Sequence, residues 1–520
     1  MGQIEETPRE VKAEFPGTEL LNLLRLGLPF LPPVLVIIGL VLHPTQLTIR
    51  QSFQLLLSES GKDGFLLSLV PAVNIILADV FFLLGFGLWV VLRWLDGTLL
   101  DRLRRYPLPL VGIFAVGLLS ILPWWKTVPS WASAPTMEYG EGIKQLVQFF
   151  LFFVCAFILL TDYLADPRWR RRLFVAFCLA CALGILLGLR EYVKLRPPDH
   201  AALEGGAAIS VQQVDGSFGY TAEDGGVSET DTGSNRNVLG AWLTLVIPFF
   251  WAFFLWGENI GLRVKALLFA LGGLVLILHG ALWAAAISSV LILSRVRSRR
   301  YFVGVAAALF IFFGALFAYA PQKPGNILVD SLMMRRSEDA FRTLPVYSIN
   351  PELNKSGEPA QLETAPYSPW EQKYIQWQPS ILAFARHPIT GVGLGNYQAN
   401  INRYYSDRDY GPYGVPKAEK DLMERGGNSF VAVWAVETGF LGLLALLLVV
   451  CMFTRRGLQH LGSDQVEEGR FAYSLKIAAL ASLGATGFGI FFTDYLVRGV
   501  GYALVFVFAV LWAEPPDDMD

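Results

Sequence analysis

The chain has 520 residues, 53% of them hydrophobic and only 17% charged, with a mean hydropathy of +0.45; this is too apolar for a soluble globular domain and fits a helical membrane protein in contact with membrane lipids. A formal net charge of −2 excludes the strongly basic surface that nucleic-acid phosphates require, so no nucleic-acid partner is expected. Cys155, Cys178, Cys181 and Cys451 all lie in apolar segments, where they act as small hydrophobes, so no disulfide is expected in the loops.

The first twenty residues carry Glu5, Glu6, Glu10, Glu14 and Glu19, and no small-residue cleavage site follows the first apolar stretch. That pattern predicts a cytoplasmic tail over 1–20 and a retained first helix. Apolar runs long enough to cross about 30 Å of hydrocarbon occur near 21–42, 67–93, 108–125, 145–165, 172–193, 237–256, 264–294, 301–320, 429–453, 472–493 and 496–513. Arginines and lysines gather in alternate connections: Arg93 to Arg105, Arg168 to Arg172, Arg263 with Lys265, Arg295 to Arg300, and Arg455 to Arg470. The positive-inside rule makes those connections cytoplasmic.

The run 264–294 has basic residues at both ends, yet it is shorter than two ordinary crossings of about 20 residues each. Two short helices meeting at His279-Gly280 resolve the conflict. The expectation is then an all-α integral membrane protein of about twelve transmembrane helices with both termini cytoplasmic. Helices one to nine fall in 21–320, a large extracytoplasmic loop in 321–428, helices ten to twelve in 429–513, and an acidic cytoplasmic tail in 514–520. The segments 126–143 and 194–236 are placed on the same outer side, the latter rich in Gly, Ser, Asp and Glu.

Within the large loop, Trp370, Tyr374, Trp377, Ile381 and Phe384 recur at three- and four-residue steps, which predicts a helix over 370–386. Such a helix lies on the membrane surface or packs within a small loop domain. HPITGVGLGNYQ, His387 to Gln398, follows it; without a preceding strand, its glycines read as a turn and not as a dinucleotide site. Asp79 and Glu437 are ionisable groups at membrane depth, with arginines or backbone groups of neighbouring helices as expected partners, and His279 sits in an apolar run where a histidine needs a polar neighbour.

Three elements, in this order, resemble the O-antigen ligase and O-antigen polymerase superfamily of bacterial envelope glycosyltransferases. GSFG (216–219) followed by SNRNVLGAWLTLVIP (234–248) is similar to one family element. The tryptophan-containing helix leading into HPITGVGLGN is similar to a second, and GGNSFVAVWAVETGFLGLL (426–444) to a third. FFTDYL before the final span also fits, so the resemblance covers roughly the C-terminal three hundred residues.

The resemblance implies a bacterial inner-membrane protein that transfers or polymerises a saccharide from an undecaprenyl-diphosphate carrier on the extracytoplasmic side. It implies inversion at the sugar, no metal and no cofactor. Such chemistry needs a guanidinium to neutralise the diphosphate leaving group and a base for the acceptor hydroxyl. The chain departs from the family pattern at three places: Gly427 stands before Asn428 where a histidine is usual, Leu278-His279 stands where Ser-Arg is usual, and Arg236 stands between Asn235 and Asn237 where a proline is usual. Relocated roles then fall to Arg236, Arg425 and Asn428 as substrate-binding residues and to His279 as the base. Arg236 reads equally as an interfacial arginine, and for Arg425 a solvated loop charge is the favoured alternative. The loss of the usual histidine also opens a different class of function, a non-catalytic scaffold or accessory subunit of a membrane complex, with other membrane subunits as partners.

Overall fold

The computed structural model describes residues 28–43, 77–122, 136–137, 139–194, 234–257, 259–277, 280–319, 369–404, 429–467, 469–493, 495–496 and 498–513. Among them every regular element is helical and none is a strand. The two tails, 195–233 of the second outer segment, and 321–368 and 405–428 of the large loop lie outside the described residues.

The first half supplies six helices: α1 (Leu31–Leu42), α2 (Leu77–Leu95), the short α3 (Leu99–Arg104), α4 (Leu108–Ile121), α5 (Tyr139–Ala165) and α6 (Pro167–Lys194). Proline stands in the first turn of α1 and of α4, where its missing N–H has no helical partner to lose. A π-helical stretch, Phe150–Ala156, interrupts α5. Then come α7 (Ser234–Trp256), α8 (Ile260–Leu276), α9 (Gly280–Arg297) and α10 (Arg299–Tyr319). The loop helices α11 (Pro369–Arg386) and α12 (Tyr397–Ile401) precede α13 (Phe430–Glu467), α14 (Gly469–Gly489) and α15 (Arg498–Trp512).

Five helical stretches among the described residues are long and apolar enough to cross a membrane: Leu77–Leu95, Tyr139–Ala165, Leu239–Trp256, Phe430–Gln459 and Phe471–Gly489. Leu28–Leu42, Leu108–Ile121 and Val500–Trp512 are shorter apolar helices. The outward faces are apolar too, with Leu83 and Leu84 on α2, Leu108 on α4, and Phe310 and Ile311 on α10 all exposed. Water would penalise such a surface, whereas acyl chains accept it.

The apolar run 264–294 forms two helices, as its length and basic flanks predict. Asn259 caps α8 by accepting from the Gly261 N–H at 2.8 Å, and α8 closes at Ile277, which is extended at φ −76°, ψ 103°. Trp283 of α9 donates to the Leu274 carbonyl at 2.6 Å and ties the two together. Both helices outrun the apolar stretch, recruiting Ile260 to Arg263 and Arg295 to Arg297. At 17 and 18 residues, each is about 26 Å long at 1.5 Å per residue.

The core sits on α7 and α15. Every residue of α15 from Val500 to Leu511 is buried, and α7 packs against α8, α9, α14 and α15. Phe506 stacks on Phe177 with ring centroids 4.1 Å apart, and Phe508 on Phe453 at 4.4 Å. Small residues allow these approaches: a Cβ on Gly501 would stand 2.3 Å from the Phe152 ring, and one on Gly184 2.7 Å from Trp242.

Several polar groups inside the bundle are paired, although the buried Trp434 indole N–H and the Thr493 hydroxyl have no hydrogen-bond partner among the described residues. Asp79 accepts from the hydroxyl of Tyr502, a phenol, which is a partner type that the expectation of arginines or backbone leaves out. Thr244 and Tyr495 share a hydrogen bond of 2.7 Å, and Trp242 donates to His43 at 3.2 Å. Near the C-terminal end of α5, Asp162 pairs with Arg93 at 2.7 Å and Arg102 at 2.9 Å while accepting from the Trp89 indole at 2.8 Å.

Candidate functional site

Helix α11 packs on α13, and the chain leaving it turns through His387 to Asn396 by means of three glycines with positive φ: Gly391 at 68°, Gly393 at 104° and Gly395 at 77°. The facing helix is itself broken at Gly439, with φ 67° and ψ −158°. That break frees helical carbonyls and amides, and the turn satisfies them. Val392 N donates to Val436 O at 2.8 Å and Gly393 N to Glu437 O at 2.9 Å; in return Phe440 N donates to Pro388 O at 2.7 Å and Leu441 N to Ile389 O at 3.3 Å. A Cβ on Gly391 would lie 2.4 Å from the Val436 oxygen, and one on Gly439 2.5 Å from the Ile389 carbonyl carbon. Only glycine permits this backbone-to-backbone clasp.

The clasp also grips α4 and α5. Leu394 N donates to Ser120 Oγ at 3.1 Å, and a Cβ on Gly395 would meet the Glu141 backbone at 2.7 Å. Asn400 accepts from Thr136 N at 2.7 Å and donates to Thr136 O at 2.8 Å. Glu437, fully buried, accepts from Tyr397 N at 3.3 Å; its partner is backbone, as expected, but from the loop helix α12. Tyr397 in turn shares a 3.1 Å hydrogen bond with Ser380, and its burial pushes the phenol above its ordinary range.

Beside the clasp, His387 Nε2 and the Tyr404 hydroxyl share a hydrogen bond of 3.0 Å. Burial, then the guanidinium groups of Arg386 and Arg403, hold the His387 pKa below 6.5, whereas burial raises Tyr404 against the same two cations. Both effects favour the uncharged imidazole of His387 over its imidazolium. This pair is not among the candidates that the sequence singles out. Its signal there is a histidine inside the glycine motif, with the Tyr404 phenol on the α12 side of the turn.

Of the candidates taken from the sequence, His279, Arg425 and Asn428 lie outside the described residues. Arg236 is in the first turn of α7, and its side chain likewise lies outside them. Among the described residues, no group of three or more His, Cys, Asp or Glu is arranged to hold a metal. No protein-family model matches the chain, and no curated protein matches it.

Proposed function

We propose that the chain is an O-antigen ligase-like protein of the bacterial inner membrane, with about twelve spans and the 321–428 loop on the extracytoplasmic side. It transfers or polymerises a saccharide from an undecaprenyl-diphosphate carrier, by a metal-independent, inverting attack of an acceptor hydroxyl. The observation that carries this reading is the clasp. HPITGVGLGN and AVETGFLG, within two of the elements on which the resemblance rests, bond reciprocally between residues 44 and 52 positions apart in the chain, from Val392 and Gly393 to Val436 and Glu437 and from Phe440 and Leu441 to Pro388 and Ile389. Their glycines are demanded by that contact, so the two elements belong to one device.

In this reading Arg236 and Arg425 neutralise the departing diphosphate with guanidinium forks, Asn428 orients the bound saccharide, and His279 takes the acceptor proton. The test is transfer from an undecaprenyl-diphosphate-linked glycan by protein reconstituted in lipid nanodiscs. Loss of one charge-assisted contact predicts a fall of roughly tenfold or more for Arg236→Ala, and loss of the base a fall of about a hundredfold or more for His279→Ala. Equal turnover in all three proteins rejects these roles. Gly427, where the family histidine is usual, favours the second reading, a non-catalytic accessory subunit of an envelope complex on the same fold; a wild-type protein that transfers to no acceptor supports it.

A further inference from the structure

The C-terminal half of α11 has its polarity reversed. Its inward face buries Ser380, Ala383 and His387, while Ile381 and Leu382 point outward and Ile389 in the following turn does the same, with Ile381 63% and Ile389 62% exposed. A helix that borders water carries its polar residues on the outer face. Here the buried Ser380 and His387 find partners inside, on Tyr397 and Tyr404, while the branched aliphatics Ile381, Leu382 and Ile389 are exposed together with Ala385, Arg386 and Pro388. The periodic stripe read from the sequence thus divides: Trp377 and Phe384 are half-buried and Ile381 is exposed.

The exposed patch continues without a step onto α13. Phe440, 59% exposed, is bonded through its amide to Pro388, and Leu441 through its amide to Ile389. Below them Leu444, Leu447 and Leu448 are exposed along a helix long and apolar enough to cross a membrane. We propose that the face made by Ile381, Leu382, Ile389 and Phe440 is bedded in the lipid bilayer, so that the glycine clasp rides at the membrane boundary and is not held clear of it in water. Arg386, exposed at the end of α11, extends from the same face to the headgroup layer. The occupant is lipid, because the patch is an extension of the acyl-facing flank of α13. A lipid-linked substrate would then meet the clasp at the depth where its diphosphate resides, although the lipid contact itself does not depend on any transferase activity.

Single cysteines at Ile381 and Ile389, in a background with Cys155, Cys178, Cys181 and Cys451 replaced by alanine and with Leu448→Cys as an acyl-depth control, can be labelled with bimane in nanodiscs. An interfacial helix buries its apolar face about 5–10 Å into the headgroup and acyl boundary. Lipids carrying a nitroxide near the top of the acyl chain should therefore quench both loop labels more than aqueous iodide does. Quenching mainly by iodide means a water-facing surface and overturns the proposal. Quenching by neither means that protein covers the face, and that overturns it as well.

Discussion

At Gly391 and Gly439 two stretches of backbone touch, and a methyl group on either has nowhere to go. An alanine there takes on the left-handed strain of about 1–2 kcal/mol together with an overlap cost of about 1–3 kcal/mol. Gly391→Ala and Gly439→Ala should each lower the midpoint of thermal unfolding in detergent. Gly87, exposed in α2 with nothing within 4 Å of the place a Cβ would take, is the control: Gly87→Ala should leave stability unchanged or raise it by up to about 1 kcal/mol. His387 gives a pH signature. Its native pKa is below 6.5, so as pH falls through 6.5 the unfolded chain takes up a proton that native His387 resists. Stability is then lost on acidification and is fully present above that value. Melting curves between about pH 8 and pH 5 should show a steeper acid loss for the wild type than for His387→Asn. The glycines were legible as a turn because φ > 0 leaves a mark in sequence. The His387–Tyr404 pair was not, because only the folded turn brings a phenol to that imidazole.

At the scale of elements, length and charge placement carried most of the information. Two basic flanks around an apolar run predicted the break between α8 and α9, and the three-four spacing predicted α11. The stripe on α11 could not tell lipid from protein, since both accept apolar side chains; burial of Ser380 and exposure of Ile381 distinguish its faces. Asp162 was hidden for a similar reason. Read in sequence it is one acid near a helix end, but in the fold it receives Arg93 from α2, Arg102 from α3 and the Trp89 indole. Asp162→Asn would leave the two guanidinium groups facing each other and should cost about 1–3 kcal/mol. A double-mutant cycle with Arg93→Gln, read from unfolding midpoints, should give a coupling of about 0.5–3 kcal/mol; additivity within error would mean that the pair contributes nothing.

For the molecule as a whole, α5 measures the distance between its two ends. Gly142 lies under the clasp and Asp162 lies in the arginine cluster, and the helical path between them is about 30 Å, the thickness of a hydrocarbon layer. Composition made a membrane protein legible at once, and the buried α7 and α15 explain why their sequences are apolar on every side. The proposed chemistry rests on the resemblance alone, because a lipid-linked transfer would need few groups and the chain has Gly427 where a histidine is usual. Everything proposed for the carrier diphosphate requires the clasp and the basic connections to be on opposite sides of the membrane. Single cysteines at Ser368, in the large loop, and at Ser298, between α9 and α10, test this with a membrane-impermeant maleimide on intact cells. The expected result is labelling of Ser368→Cys from outside and of Ser298→Cys only after permeabilisation; labelling of Ser368→Cys from the cytoplasmic side alone would contradict it.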